Sequence, residues 1–435
     1  MNERQIGLRL DGVQISMRHR LGIGSEKIFL IFIILGITGF LGLYTYLPGG
    51  MSLYSTDVYF IYIIAFATLF GLFQILSKGK LNVSSKYLRH SLLFVLLVLV
   101  EIVLSYLRYH QSITLVLKEA SYYFVPTLCF LIFLQYRKKR NVEEHLQLIV
   151  KFSLVCSIIA TILFLLYTYA HIDLAHLSSI GASRYRNGTV RFEIGGVVLT
   201  LGIIISITRL FEKKWTQLDI WNLIIGAYQI IYINKTRSVI LYLVITIILS
   251  ILLQKRVHFA IRGILIALIA ILIVYAFLSP GSSDSTTTIG GVIGIDAGIR
   301  MRFRAIEFYM GQFFEHPLLG MGFISANRDV TGWTILYGSD GRFYRSDVGA
   351  VGLINEFGIA GAVWAVSFII LMYKSFKKHD SLCGRVGINA VNYIVVSLIN
   401  LSFLDNNRIM IIFFLYMFAY LLDKEEHNDL QTANI

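Results

Sequence analysis

The sequence predicts an all-α protein that threads a membrane about twelve times, and three observations carry that prediction. Hydrophobic residues fill 56% of the 435 positions and charged ones only 15%, a balance that no single water-soluble core absorbs. The apolar residues gather into runs long enough to cross a hydrocarbon layer of about 30 Å as helices of roughly 20 residues. Lysine and arginine collect between alternate runs, as the positive-inside rule requires of a multi-pass chain.

The expected spans are 28–47, 58–76, 91–107, 120–134, 152–170, 195–211, 220–234, 238–253, 259–278, 349–373, 386–404 and 409–422. The first run is too long for a signal-peptide core and is expected to remain as a span. Residues 1–27 carry Arg4, Arg9, Arg18, Arg20 and Lys27, which places this segment in the cytoplasm. An even number of spans returns the tail, 423–435, to the same side. Between them the chain divides into nine spans over 28–278, a large external loop over 279–348, and three spans over 349–422.

Later loops agree with this orientation. Arg137 to Arg140, Lys213 with Lys214, Lys255 with Arg256, and Lys374 to Lys378 all fall on the cytoplasmic side. The net charge of +13 is therefore read as loop asymmetry rather than as a nucleic-acid footprint. Cys129, Cys156 and Cys383 have no metal-like spacing, so neither a zinc site nor a disulfide framework is expected.

The type of cation differs between the two sides. Nearly all lysines fall inside, whereas the outward basic residues are almost all arginine. Guanidinium presents a rigid fork that grips phosphate or carboxylate in two places, while ammonium is a strongly hydrated point charge. The outer face is therefore expected to recognise anions.

Three outward segments carry these arginines. The loop 171–194 holds Arg184, Arg186 and Arg191, with a tight turn expected at Asn187-Gly188. The short link Asn234-Lys235-Thr236-Arg237-Ser238 holds Arg237 at the membrane rim. The loop 279–348 opens with a Ser, Thr and Gly stretch to Gly298 and turns helical in pattern from Ile299 to Glu315.

That helix is expected to lie on the membrane surface through Ile306, Met310 and Phe313. On its other side Arg300, Arg304, Glu307 and Gly311 share one face, and Arg302 lies off it. His316-Pro317-Leu318-Leu319-Gly320-Met321-Gly322-Phe323 then ends the helix in a tight turn. Span 10 opens with Arg345-Ser346-Asp347-Val348-Gly349 and continues through Asn355-Glu356-Phe357-Gly358-Ile359-Ala360-Gly361.

At these residues the chain resembles the superfamily of O-antigen polymerases and O-antigen ligases. Its members have a long external loop late in the chain, a His-Pro-Leu-Leu-Gly-x-Gly-like turn and a span opening that ends in Glu-x-Gly-x-x-Gly, here Glu356 to Gly361. The polymerases are also described by Arg-x10-Gly motifs in two external loops, matched by Arg184 with Gly195 and Arg300 with Gly311. The bare pattern recurs at about the rate chance would give, and Arg191 with Gly202 is a third case; all three fall on outward arginines. Family ligases carry a histidine nine residues before the glutamate, where this chain has Asp347, so the resemblance favours the polymerase branch.

The resemblance implies a GT-C-like membrane glycosyltransferase in a bacterial plasma (inner) membrane, with its active site on the extracytoplasmic face. It would move a growing glycan from polyprenyl diphosphate onto a lipid-linked repeat unit, making O-antigen, capsule or exopolysaccharide. The implied partners are polyprenyl-diphosphate-linked oligosaccharide and membrane lipid, with a chain-length regulator and a flippase as further candidates. Neither a nucleic acid, a metal nor a cofactor is expected. External segments contain no Asp-x-Asp tripeptide, so arginine would replace a metal as charge partner.

The expected diphosphate ligands are Arg184, Arg191, Arg237, Arg300 and Arg304, with Arg345 beside Asp347. Arg300 and Asp347 are the expected catalytic residues, Asp347 serving either as base or to orient an arginine. Glu101 is the one carboxylate well inside a span and is a functional candidate on that ground. Arg108 lies seven residues on along the same face, so a structural Glu-Arg pair is the expected arrangement. Asp405 to Arg408 reads first as a turn. Two alternatives stay open, an O-antigen ligase and a flippase or transporter of polysaccharide units.

Overall fold

The computed structural model describes residues 85–134, 142–172, 194–234, 237–252, 297–326, 330–339, 341–405 and 408–433, with short pieces elsewhere. Eleven α-helices carry most of these residues: α1 Lys86–Tyr109, α2 Ile113–Leu134, α3 Val142–Tyr169, α4 Gly196–Phe211, α5 Gln217–Tyr228, α6 Arg237–Leu252, α7 Ala297–Glu315, α8 Val330–Tyr337, α9 Ala350–Lys377, α10 Leu382–Ser397 and α11 Ile411–Ala433. The expected spans 28–47, 58–76 and 259–278 lie outside the described residues apart from short fragments.

Four helices, α1, α2, α3 and α9, are long and apolar enough to cross a membrane, at 24, 22, 28 and 28 residues. At about 1.5 Å per residue the unbroken α1, α2 and α3 reach roughly 33 to 42 Å, against a hydrocarbon layer of about 30 Å. Three shorter apolar helices, at Gly196–Phe211, Ser238–Leu252 and Leu382–Ser397, pack beside them. The outer side of α1 exposes Leu92, Leu93, Leu96, Leu99, Val103 and Leu107 while Phe94, Val98 and Ile102 are buried. An apolar face turned outward over the whole helix is costly in water and suited to lipid.

The core centres on α11. Ile411 through Ala419 are each at most 3% exposed, so this helix is hydrophobic all round because it is surrounded all round. It packs against α2, α9 and α10, while α3 packs on α4 and α5. One pole of the bundle gathers the start of α1, the end of α9 and the polar end of α11. There Asp423 accepts from the Tyr87 hydroxyl at 2.8 Å and lies 2.9 Å from Lys86 Nζ. At the same pole Arg209, 2% exposed, pairs with Asp219 at 3.1 Å and with Glu143. Asp219 caps α5 through Thr216.

The opposite pole gathers the end of α1, the turn 316–325, the one-turn 3-10 helix Arg345–Asp347 and the start of α9. Here the loop 279–348 departs from expectation in two ways. A second helix, α8, follows the turn, and its backbone oxygens at Leu336 and Ile335 accept from the Tyr309 hydroxyl and from Gln312 Nε2, at 2.6 and 2.8 Å. The packed face of α7 therefore runs through Ala305, Tyr309 and Gln312, and only the Ile306 edge of the expected apolar stripe joins it. The reason is tertiary, since α9 and α8 offer α7 a protein surface beside the expected apolar stripe, of which Met310 and Phe313 stay half-buried.

The turn expected at Asn187-Gly188 is bracketed by a small antiparallel hairpin, Tyr185–Arg186 with Thr189–Val190. A two-residue Asn-Gly connection suits the twist of such a pair.

Candidate functional site

The second pole is organised by a break in α9. Gly358 has φ 60° and ψ −159°, a conformation open essentially to glycine alone. The break frees backbone groups on both sides, and the 317–322 turn takes them up. Met321 N donates to Asn355 O at 2.7 Å, Gly322 N to Glu356 O at 2.9 Å, Ile359 N to Pro317 O at 2.9 Å and Ala360 N to Leu318 O at 3.0 Å. Gly320 and Gly358 meet face to face, so the His-Pro-Leu-Leu-Gly-Met-Gly turn and the Glu-Phe-Gly segment are two halves of one joint.

That joint aims several side chains at one place. Arg345 is 13% exposed; its Nη1 donates to Gly322 O at 3.1 Å and lies 4.0 Å from Glu356 Oε1. Its Nε and Nη2 are buried and have no hydrogen-bond partner among the described residues. Glu356 accepts from the Tyr123 hydroxyl of α2, which itself accepts from Tyr122 at 2.6 Å. Asp347, half-buried, ends the 3-10 turn two residues from Arg345.

Glu101 reaches the same joint from α1. It is fully buried, and neither carboxylate oxygen has a hydrogen-bond partner among the described residues. A Cβ built on Gly322 would lie 2.9 Å from its Oε2. Arg108, the expected partner, lies within electrostatic reach of Glu101, while its Nη1 donates to Gly320 O at 2.7 Å. The Gly320 acceptor was not expected because it lies more than two hundred residues away in the chain, where no helical spacing can register it.

The structure thus brings together Glu101, Arg108, Arg345, Asp347 and Glu356. It does not bring Arg300 and Arg304 to them. Both, with Glu307 and Gly311, form the shared face expected of α7, and that face is exposed on the side away from α9. Arg302, expected off the face, is the inward arginine: half-buried, it lies within electrostatic reach of Tyr242, as does Arg408. Tyr242 stands near the start of α6, the helix that Arg237 opens, and hydrogen-bonds Asn400. Arg184, Arg191 and the side chain of Arg237 lie outside the described residues.

Two groups at the poles have shifted protonation. At the joint, burial and the neighbouring Arg108 hold the His316 imidazole below its ordinary value. At the opposite pole burial alone would raise Asp423, but hydrogen bonds from Lys86, Tyr87 and His379 outweigh it and hold the carboxyl low.

Arg302 was not among the expected site residues and carried no signal in the sequence; Glu101 was a functional candidate there, as an ionisable group inside an apolar run. The chain matches no protein-family model, and a search of curated proteins finds no match.

Proposed function

We propose that the chain is a metal-independent membrane glycosyltransferase that extends a polysaccharide. In this reading it moves a growing glycan from polyprenyl diphosphate onto a hydroxyl of the next lipid-linked repeat unit, at the extracytoplasmic face. The observation that carries the reading is the joint itself. Segments far apart in the sequence place a buried guanidinium with free donors 4.0 Å from the Glu356 carboxylate, with the half-buried Asp347 two residues along the chain, at the pole where the outward arginines are expected.

The chemistry asks for two things at such a place. Negative charge develops on the departing diphosphate and is stabilised by preorganised cations in a partly dry site. The attacking hydroxyl gives its proton to a carboxylate within reach. Arg302 and Arg408, around Tyr242, are the inward cations for the diphosphate, with Arg237 at the head of the same helix. Asp347 is the proposed base.

The test is chain growth from purified full-length protein in vesicles supplied only with lipid-linked repeat units. Polymer that lengthens with time supports the reading, and unit movement across the bilayer without new glycosidic bonds would replace it with transport. Within the same assay, Asp347→Asn should lower turnover on the order of 10²- to 10⁴-fold while donor binding persists. Parallel loss of donor affinity would reassign Asp347 to holding an arginine in place.

A further inference from the structure

Beside the joint, a run of aromatic rings lies at the surface. Trp333 and Tyr337 are four residues apart on α8, which puts them on one face of that helix, while Ile335 and Leu336 pack on Tyr109, Met321 and Ile324. The chain then turns through Gly338 and Gly341, with Gly341 N donating to Gly338 O at 3.1 Å and Phe343 N to Tyr337 O at 3.0 Å. It returns with Phe343 inward, its ring centroid 5.2 Å from that of Phe308, and with Tyr344 outward against Tyr337. Arg345 follows, turned inward again to Gly322 O, and Asp347 ends the same 3-10 turn.

Tyr337 stands between the other two rings, 5.7 Å from Trp333 and 5.5 Å from Tyr344, with the planes turned by 61° and 59°. Trp333 is 40% exposed and Tyr344 50%, so both can still be covered by a ligand. A Cβ on Gly341 would fall 2.0 Å from the Trp333 ring; the indole therefore rests directly on the turn backbone and is fixed by it. Single exposed aromatics need no explanation, but a fixed and contiguous group marks a contact surface. Its chemistry says what it meets. The ring faces carry the negative side of a quadrupole, which suits the polarised C–H faces of a pyranose, while sugar hydroxyls can exchange hydrogen bonds with the tyrosine hydroxyls. The surrounding charges are mixed, with Arg345 and Glu119 both within electrostatic reach of Tyr337, so no one sign is selected as an anionic headgroup would require. Ser339 and Arg342 are exposed along the rim, which disfavours an alkyl tail.

We propose that Trp333, Tyr337 and Tyr344 form a stacking shelf for the sugar rings of an uncharged glycan, laid so that one end of the glycan reaches Arg345 and Asp347. The direction follows from the chain itself, because Tyr344 is next to Arg345 and three residues from Asp347. Tyr337, Tyr344, Arg345 and Asp347 also all lie within electrostatic reach of the Tyr309 hydroxyl. Delivery of the glycan to a reaction rests on the glycosyltransferase reading; the binding of sugar by the shelf stands without it.

The test uses the purified full-length protein, in detergent and in nanodiscs of anionic lipid, screened against an array of neutral oligosaccharides built from common pyranoses. Binders are then tried for their effect on N-bromosuccinimide oxidation of Trp333, followed by peptide mass spectrometry, with the exposed Trp215 at the opposite pole as internal control. At least one oligosaccharide is expected to bind and to protect Trp333 but not Trp215. Tyr344→Ala should weaken that oligosaccharide roughly tenfold, and Tyr344→Phe, which keeps the ring, by less than about threefold. Protection of wild-type Trp333 supplies the answer if the alanine variant does not fold. Trp333 shielded by the nanodisc lipid alone would overturn the proposal in favour of a membrane anchor. An array without a binder, or binders that leave Trp333 open to oxidation, would remove the shelf even if chain growth is seen. Binding and protection without chain growth would sink the enzymatic reading and leave the shelf standing.

Discussion

Gly358→Ala isolates the joint from every charged group around it. The alanine would have to hold φ 60° and ψ −159°, which costs about 1–3 kcal/mol for a residue with a side chain. Its Cβ would also fall 2.4 Å from the carbonyl carbon of Leu318 and 2.5 Å from Gly320 N. Both are backbone atoms, so the turn must move. Movement strains the two hydrogen bonds nearest the substitution, Ile359 N to Pro317 O and Ala360 N to Leu318 O, each worth about 0.5–1.5 kcal/mol. Together these give a loss of about 2–6 kcal/mol. Equilibrium unfolding of the detergent-purified protein measures it. Gly311→Ala is the internal control, because that glycine has nothing within 4 Å of its would-be Cβ and should gain about 0.5–1 kcal/mol from helix propensity. A Gly358→Ala protein within about 1 kcal/mol of wild type would refute the joint as described.

Other expectations follow from the same geometry. Arg302→Ala should reduce chain growth more than Arg300→Ala, and Arg302→Lys should not restore it, since a point charge cannot replace the planar fork; equal tolerance at both positions would remove Arg302 from the diphosphate site. For His316, a folded value below the ordinary imidazole value means that the unfolded chain takes up the proton first. Stability should therefore fall as pH drops below about 6.5, and His316→Gln should flatten that slope in pH-dependent melting. Tags within 279–298 should be reachable from outside intact cells and tags after Asp423 only from inside; finding both on one side would overturn the orientation.

Much of the scaffold was legible because lipid makes a simple demand. Apolar runs mark helices, and the run read as 91–107 is the middle of α1, Lys86–Tyr109. Its ends escaped because Lys86 and Arg108 are polar yet helical, each held by a partner elsewhere in the fold. Helical spacing also assigned the face of α7 that carries Arg300 and Arg304. It could not say which face would meet protein, and so Arg302 was passed over. The motif residues from His316 to Gly361 were picked out by pattern, but their meaning lay in backbone pairing across the break at Gly358, which side-chain patterns do not encode. Glu101 was noticed as an ionisable group in a span and joined to Arg108, which lies within its electrostatic reach; the contact of Arg108 with the Gly320 carbonyl escaped, because a partner on the same helix is visible in sequence and one on a distant turn is not.

The place of α11 has a consequence for how the molecule is assembled. The most enclosed helix follows every other described helix in the chain, so it is made after all of them. Until it arrives, the partners it serves stand open: the His90 ring, which hydrogen-bonds Tyr416 at 2.8 Å, the aromatic faces of Phe130 and Phe368 that close on the same tyrosine, and Tyr87, which waits for Asp423. The earlier helices can enter the bilayer one by one, but they can settle around their axis only when the final one slides in. Insertion and folding are thereby separated in time, with the last segment acting as the bolt.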